Sequence, residues 1–180
     1  MAFTIPVRQQ HAFSLTALDE YLKVHLEGYS GPLSLRQFGF GQSNPTFLLT
    51  TPHAKYVLRK KPPGHIIPSA HAVEREYRVL AALAADKAVG VPVPVPLLLC
   101  TDSSVIGTPF YLMEFVRGRI FTNPYLPALS AAEKRLCYAD AVRVLAKLHA
   151  VNHRAVGLES FGRPTGWVRG IRVLCLAFSL

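Results

Sequence analysis

Aspartate is scarce in this chain and stops early. The 180 residues hold four, Asp19, Asp86, Asp102 and Asp140, and none follows position 140. Acids number 11 against 20 lysines and arginines, so the formal net charge is +9. Such an excess suits phosphate-bearing partners, whether nucleotides, coenzyme A, nucleic acid or an anionic membrane; the plain alternative is a merely basic soluble protein. Charged residues make up only 17% of the chain, too few for a disordered polymer, and half of it is hydrophobic, enough for one domain with a real core.

Cysteine is sparse as well. Cys100, Cys137 and Cys175 are widely spaced, odd in number and form no Cys-x-x-Cys pair, which argues for free thiols in a reducing, intracellular compartment and against a disulfide framework. His149 and His153 have a helical ligand spacing but no third ligand nearby, so they read as a pair on a helix surface. No apolar run reaches transmembrane length, so no membrane span is expected. The first eighteen residues lack acids and contain Arg8 and Ser14, a faint transit-peptide flavour with too few arginines to count as a targeting signal. The terminal Phe178-Ser179-Leu180 is not the Ser-Lys-Leu peroxisomal address. There is no internal repeat and no low-complexity tract.

Hydrophobic periodicity supplies the elements. Leu15, Leu18, Leu22 and Leu26 predict a helix from Leu15 to about His25, with Ser14 as its cap. Leu33–Phe38, Thr46–Thr51 and Tyr56–Lys60 predict three short strands joined as an antiparallel meander. A second helix is expected from about Ala70 to Ala85, capped by Ser69, with Val73, Tyr77, Leu80 and Ala84 as its buried stripe. Glu76 falls about 60° from that stripe, on its rim, and is the acid best placed to pair with the sheet; Arg75 and Arg78 point outward. Two further strands are expected at Leu97–Thr101 and Pro109–Val116, then a proline-punctuated linker over 120–129. Ser130 and Glu133 form a capping box for a long helix whose apolar stripe is Cys137, Ala141, Val144, Leu145 and Leu148.

The turn between the first two strands of the meander carries the chemistry. Gly39-Phe40-Gly41-Gln42-Ser43-Asn44 can bring backbone N–H groups close to an anion, though a plain hairpin turn would look the same. Arg59, near the end of the next strand, is a cation that can reach the same phosphates.

The blocks Gly41-Gln42-Ser43-Asn44-Pro45-Thr46-Phe47, Tyr56-Val57-Leu58-Arg59-Lys60-Lys61-Pro62-Pro63-Gly64 and Val105-Ile106-Gly107-Thr108-Pro109-Phe110-Tyr111 resemble the aminoglycoside phosphotransferase and choline-kinase-like family, which has a protein-kinase-like fold. More narrowly, they resemble the kinase-like domain of acyl-CoA dehydrogenase family members 10 and 11. The resemblance implies an α+β fold: a kinase-like N-lobe, with an antiparallel sheet of about five strands plus a helix, and then the first helix of a truncated C-lobe. The implied organisation is an N-terminal lead-in at 1–13, the N-lobe at 14–119, the start of the C-lobe at 120–163 and a divergent tail at 164–180, the resemblance fading near Pro164.

It also implies roles. Gly39, Gly41, Ser43 and Asn44 would belong to the phosphate-covering loop. Arg59 would stand where kinases carry the lysine that holds the nucleotide phosphates, and Glu76 would orient it as the Lys–Glu pair does. Met113, Glu114, Phe115 and Val116 would form the hinge that holds adenine through its backbone. The catalytic-loop aspartate and the magnesium-holding aspartate of such kinases lie beyond the long helix, where this sequence has no aspartate at all. No catalytic or metal-binding residue is therefore assigned. The cofactor implied is ATP, weakly bound; Mg²⁺ belongs to longer relatives, and FAD is not expected in this stretch.

The reading is thus a truncated phosphotransferase-like domain from a protein of fatty-acid degradation, mitochondrial or peroxisomal by resemblance, with nucleotide as partner and no catalysis expected in isolation. The alternative is a non-enzymatic interaction module or regulatory short form that docks a protein through the face of the truncated lobe. Nucleic-acid binding by Arg59-Lys60-Lys61, Arg75/Arg78 and Arg117/Arg119 is the weakest reading, since no recognised motif accompanies the charge.

Overall fold

The computed structural model describes residues 4–39, 44–64 and 71–162. Six strands form one antiparallel sheet: β1 (Thr4–Ile5), β2 (Ser34–Phe38), β3 (Thr46–Thr50), β4 (Lys55–Lys60), β5 (Pro96–Cys100) and β6 (Phe110–Glu114), in spatial order β1-β2-β3-β4-β6-β5. Four α-helices lie among the described residues: α1 (Leu15–His25), α2 (Val73–Ala85), the short α3 (Ser103–Ile106) and α4 (Ala131–Ala150). The meander β2-β3-β4 is the one the sequence predicts. The sixth strand comes from the lead-in: Thr4 and Ile5 pair with Phe38 and Gln37, and Arg36 reaches back to the Thr4 hydroxyl at 2.8 Å.

Period-two alternation sorts the side chains of β4 and β6 onto two faces. On one face Leu58, Phe110 and Leu112 join Phe47 and Leu49 of β3, and α1 lays Leu18 and Leu22 over them to form the main core. All seven are fully buried, each contributing roughly 1.5–3 kcal/mol relative to exposure. Ser14 fixes where α1 begins, its hydroxyl accepting from the Ala17 N–H at 3.1 Å.

The other face carries Arg59 and Tyr111, which are direct partners across β4 and β6. Here α2 packs, against β5 and β6. This helix starts at Val73 with Ala72 as a cap that makes no side-chain hydrogen bond; the expected cap, Ser69, lies outside the described residues. Its buried residues are Val73 and Leu83, while Tyr77, Leu80 and Ala84 are only half-buried, Leu80 because it lines an open cleft.

The long helix departs most from expectation. The capping box is formed, with the Ser130 hydroxyl accepting from the Glu133 N–H at 3.3 Å and Glu133 Oε2 accepting from the Ser130 N–H at 2.9 Å. Yet α4 buries none of its residues: Leu145 and Leu148 are 50% and 43% exposed, and Leu136 and Val142 more so. Its apolar stripe has no opposing element among the described residues. The helix ends at Ala150, so His153 lies beyond it and does not share a helical face with His149.

Candidate functional site

Three side chains from three parts of the fold meet at the Glu76 carboxylate. Arg59 Nε lies 2.7 Å from Oε2, and its Nη2 is 3.4 Å from Oε1. The Nε–H is not aligned on the carboxylate despite that short distance, so the contact is charge against charge more than a well-formed hydrogen bond. Asn44, at the end of the glycine turn, donates from Nδ2 to Oε1 at 2.7 Å. Tyr111 donates its hydroxyl to Oε2 at 3.1 Å. Burial first, and then the Glu76 charge, push the Tyr111 phenol above its ordinary value of 10.0, which keeps it a donor.

The local sequence explains this convergence. Arg59 and Tyr111 share a sheet face because they are register partners, and Glu76 faces them from the first turn of α2. A second pair runs alongside: Lys61 Nζ contacts Glu74 Oε1 at 2.7 Å. The intervening Lys60 points to the opposite face, where it is 3% exposed beneath α1, with Nζ 3.4 Å from the Ile106 carbonyl and 4.8 Å from the centre of the Phe13 ring. Three consecutive cations are therefore committed to three separate places and do not form a surface patch.

A cleft of about 550 Å³ opens beside the cluster, lined by Arg59, Glu76 and Tyr111 on one side and by Val79, Leu80 and Phe161 on the other. Phe161 is held there by Arg75, which stacks 4.4 Å above its ring and donates to its carbonyl at 3.0 Å. Arg78 adds contacts to the Gly157 carbonyl at 2.8 Å and the Ser160 hydroxyl at 3.2 Å. The two outward arginines of α2 thus clamp the segment that follows α4.

Of the residues singled out from sequence, Asn44, Arg59 and Glu76 are brought together. Gly39 is the last described residue before the turn, and Gly41 and Ser43 lie outside the described residues. Met113 and Glu114 end β6, two and three positions beyond Tyr111, and do not line the cleft. The Glu114 N–H donates to the Val95 carbonyl at 2.9 Å, so it is already engaged. Phe115 and Val116 follow the strand; Lys55 lies 5.9 Å above the Phe115 ring, and Val116 is 60% exposed. Tyr111 was not among the expected site residues. Its signal was its place two residues before Met113 in a strand of the same sheet, which only the register turns into contact with Glu76. Among the described residues, no three His, Cys, Asp or Glu side chains converge as metal ligands would.

Residues 34–174 match the phosphotransferase enzyme family abbreviated APH. The chain belongs to that family. The match runs past Pro164, where the sequence resemblance was read to fade. Within the family, the chain is 47% identical over 166 residues to mouse acyl-CoA dehydrogenase family member 10, a match covering 92% of this chain and 15% of that protein. It is 44% identical over 167 residues to human family member 11, covering 91% of this chain and 21% of that protein. A solved structure of a candidate aminoglycoside phosphotransferase from Ralstonia eutropha superposes with a TM-score of 0.71 at 46% identity, covering 86% of this chain and 44% of that one. The six-stranded sheet with its helices is accordingly a protein-kinase-like N-lobe fold. The chain spans about a fifth or less of the curated relatives it matches.

Proposed function

We propose that this chain is the nucleotide-gripping part of a kinase-like site from an acyl-CoA dehydrogenase family protein of fatty-acid degradation, binding ATP weakly and transferring no phosphate by itself. The Arg59–Glu76 contact at 2.7 Å is the observation that supports this most. It joins a strand cation to a helix acid beside the glycine turn, the arrangement by which kinases present a cation to phosphates. The residues fit the ligand: the Arg59 side chain is one-third exposed, its Nη1 has no hydrogen-bond partner among the described residues, and a guanidinium can engage a phosphate through its terminal nitrogens.

ATP would supply the transferable phosphoryl group, and in longer relatives aspartates would hold Mg²⁺ against it. In this chain Arg59 would bind the phosphates, and Glu76, itself held by Asn44 and Tyr111, would orient Arg59. The sequence beyond Asp140 offers no aspartate to receive a hydroxyl proton or hold the metal, so the grip has no reacting partner within these residues. Location in the mitochondrion or the peroxisome is part of this reading.

Isothermal titration of the purified 180-residue chain with ATP, with and without Mg²⁺, tests it. The expected result is a Kd weaker than about 0.1 mM that magnesium changes little, and that Arg59→Ala abolishes. Tight magnesium-dependent binding, or phosphate transfer by the chain alone, refutes it.

The exposed stripe of α4 favours a second reading, a non-enzymatic module that binds a protein partner. Leu136 and Val142 are 71% and 66% exposed on a helix that buries nothing. A stoichiometric complex lost on Val142→Glu would support it; a monodisperse monomer with no partner would count against it.

A further inference from the structure

We propose that Tyr111 is the positioning residue of the phosphate grip: it pins the Glu76 carboxylate so that Arg59 lies side-on against it, with Nε and Nη2 toward the carboxylate and Nη1 left for the ligand. This rests on the reading of Arg59 as the group that meets phosphate.

The argument begins with what the ion pair cannot do by itself. Both Arg59 and Glu76 side chains are 33% exposed. A long arginine and a glutamate at that exposure gain little from each other and retain many rotamers. Nothing in the pair chooses between an Nε contact and an end-on contact through both terminal nitrogens. The end-on form would occupy the nitrogens that a phosphate needs.

Tyr111 makes that choice. Its residue is 2% exposed, and its ring meets the edge of Tyr77 with centroids 6.1 Å apart. A buried phenol has only two side-chain torsions, so its hydroxyl arrives from a fixed direction. That hydroxyl takes Oε2, the same oxygen that faces Arg59 Nε. Asn44 takes Oε1 at 2.7 Å from the other side, and Asn44 is itself 3% exposed. With each oxygen held by a buried neutral donor, the carboxylate plane is set before arginine arrives. Arg59 lies along the side of that carboxylate: Nε is close to Oε2, Nη2 donates to Oε1 at a long 3.4 Å, and Nη1 has no hydrogen-bond partner among the described residues.

The experiment uses Tyr111→Phe in the 180-residue chain, which keeps the ring and its edge contact and removes only the hydroxyl. Two quantities are read: the solvent exchange of the Arg59 Nε–H by nitrogen-resolved NMR, and the affinity for inorganic tripolyphosphate and for ATP. The expected result is Nε–H exchange at least about fivefold faster and affinity about three- to tenfold weaker, the range that loss of one hydrogen bond gives. Tyr77→Phe, which alters the same aromatic pair without touching Glu76, should change neither. Unchanged Nε–H exchange in Tyr111→Phe overturns the proposal, as does measurable tripolyphosphate affinity equal to that of the parent chain. If the parent chain binds neither polyanion, the nucleotide reading fails, and the exchange rate alone decides whether Tyr111 positions Arg59.

Discussion

Arg59 and Tyr111 stand opposite each other on adjacent antiparallel strands, and both reach the same oxygen, Oε2 of Glu76, at 2.7 and 3.1 Å. The relationship gives Glu76 two roles, counter-ion to one strand and acceptor for the next. It also ties α2 to the sheet at a point that faces a cleft.

Removing the charge on either side of the pair should affect ligand more than fold. Arg59→Ala and Glu76→Gln are each expected to lower global stability by no more than about 1 kcal/mol, because the pair is partly exposed. Arg59→Ala should remove tripolyphosphate binding altogether, whereas Glu76→Gln should weaken it about tenfold by leaving Arg59 unoriented. Urea denaturation and isothermal titration on the same preparations separate the two effects.

Lys60 should be a net burden on the fold at neutral pH. It is 3% exposed and has no carboxylate partner among the described residues, and burial lowers its pKa from the ordinary 10.5. The folded chain therefore holds that proton less tightly than the unfolded chain does. The cost is fully present below the lowered value and is relieved as pH rises from there towards 10.5. Lys60→Met, which keeps the stem and drops the ammonium, is expected to stabilise by about 1 kcal/mol or more at pH 7. The advantage over the parent should shrink in urea titrations repeated at increasingly alkaline pH.

Asp19 should contribute in the opposite direction on the pH scale. Its carboxylate contacts Lys23 Nζ at 2.5 Å and accepts from the Tyr29 hydroxyl at 2.5 Å, and these two bonds, Lys23 first, hold its pKa below the ordinary 3.8. Its stabilising effect is present above 3.8 and disappears as pH falls through the lowered value. Asp19→Asn is expected to lower the melting temperature by a few degrees at pH 7, about 1 kcal/mol, and to match the parent chain in strong acid. Gly31→Ala should disturb the same spot, since a Cβ there would lie 2.9 Å from Asp19 Oδ1.

The two serine caps should behave differently under the same substitution. Ser14→Ala removes the cap of α1, whose Leu18 and Leu22 belong to the main core, and should cost about 1 kcal/mol of global stability. Ser130→Ala removes the cap of a helix that buries nothing, so the unfolding midpoint should stay within error. Hydrogen exchange in the first turn of α4 should nevertheless rise, because local opening there is not coupled to the core.

Much of this fold was legible along the chain. The leucine spacing of α1 and its Ser14 cap are local signals, as are the Ser130–Glu133 box and the alternation of β3 and β4. Glu76 was legible too, because a helix converts sequence spacing directly into angle. The two-residue strand at Thr4–Ile5 was not, since so short a segment has no period to detect and exists only by pairing with β2. Nor was the bareness of α4 or the half-burial of the α2 stripe, because periodicity marks which side of a helix is apolar but not whether another element covers it.

The sequence by itself determined the family, the order of the longer elements and Glu76 as the acid facing the sheet, because each depends on residues close together or on patterns a helix or strand makes regular. Tertiary structure alone decided that Tyr111 and Asn44 share the Glu76 carboxylate, that Lys60 lies buried while its two neighbours form ion pairs, and that Arg75 brings Phe161 to the cleft. Those contacts join residues 13 to 86 positions apart or turn on which face of a strand points where, and strand register, which the order of residues does not encode locally, is what sets them.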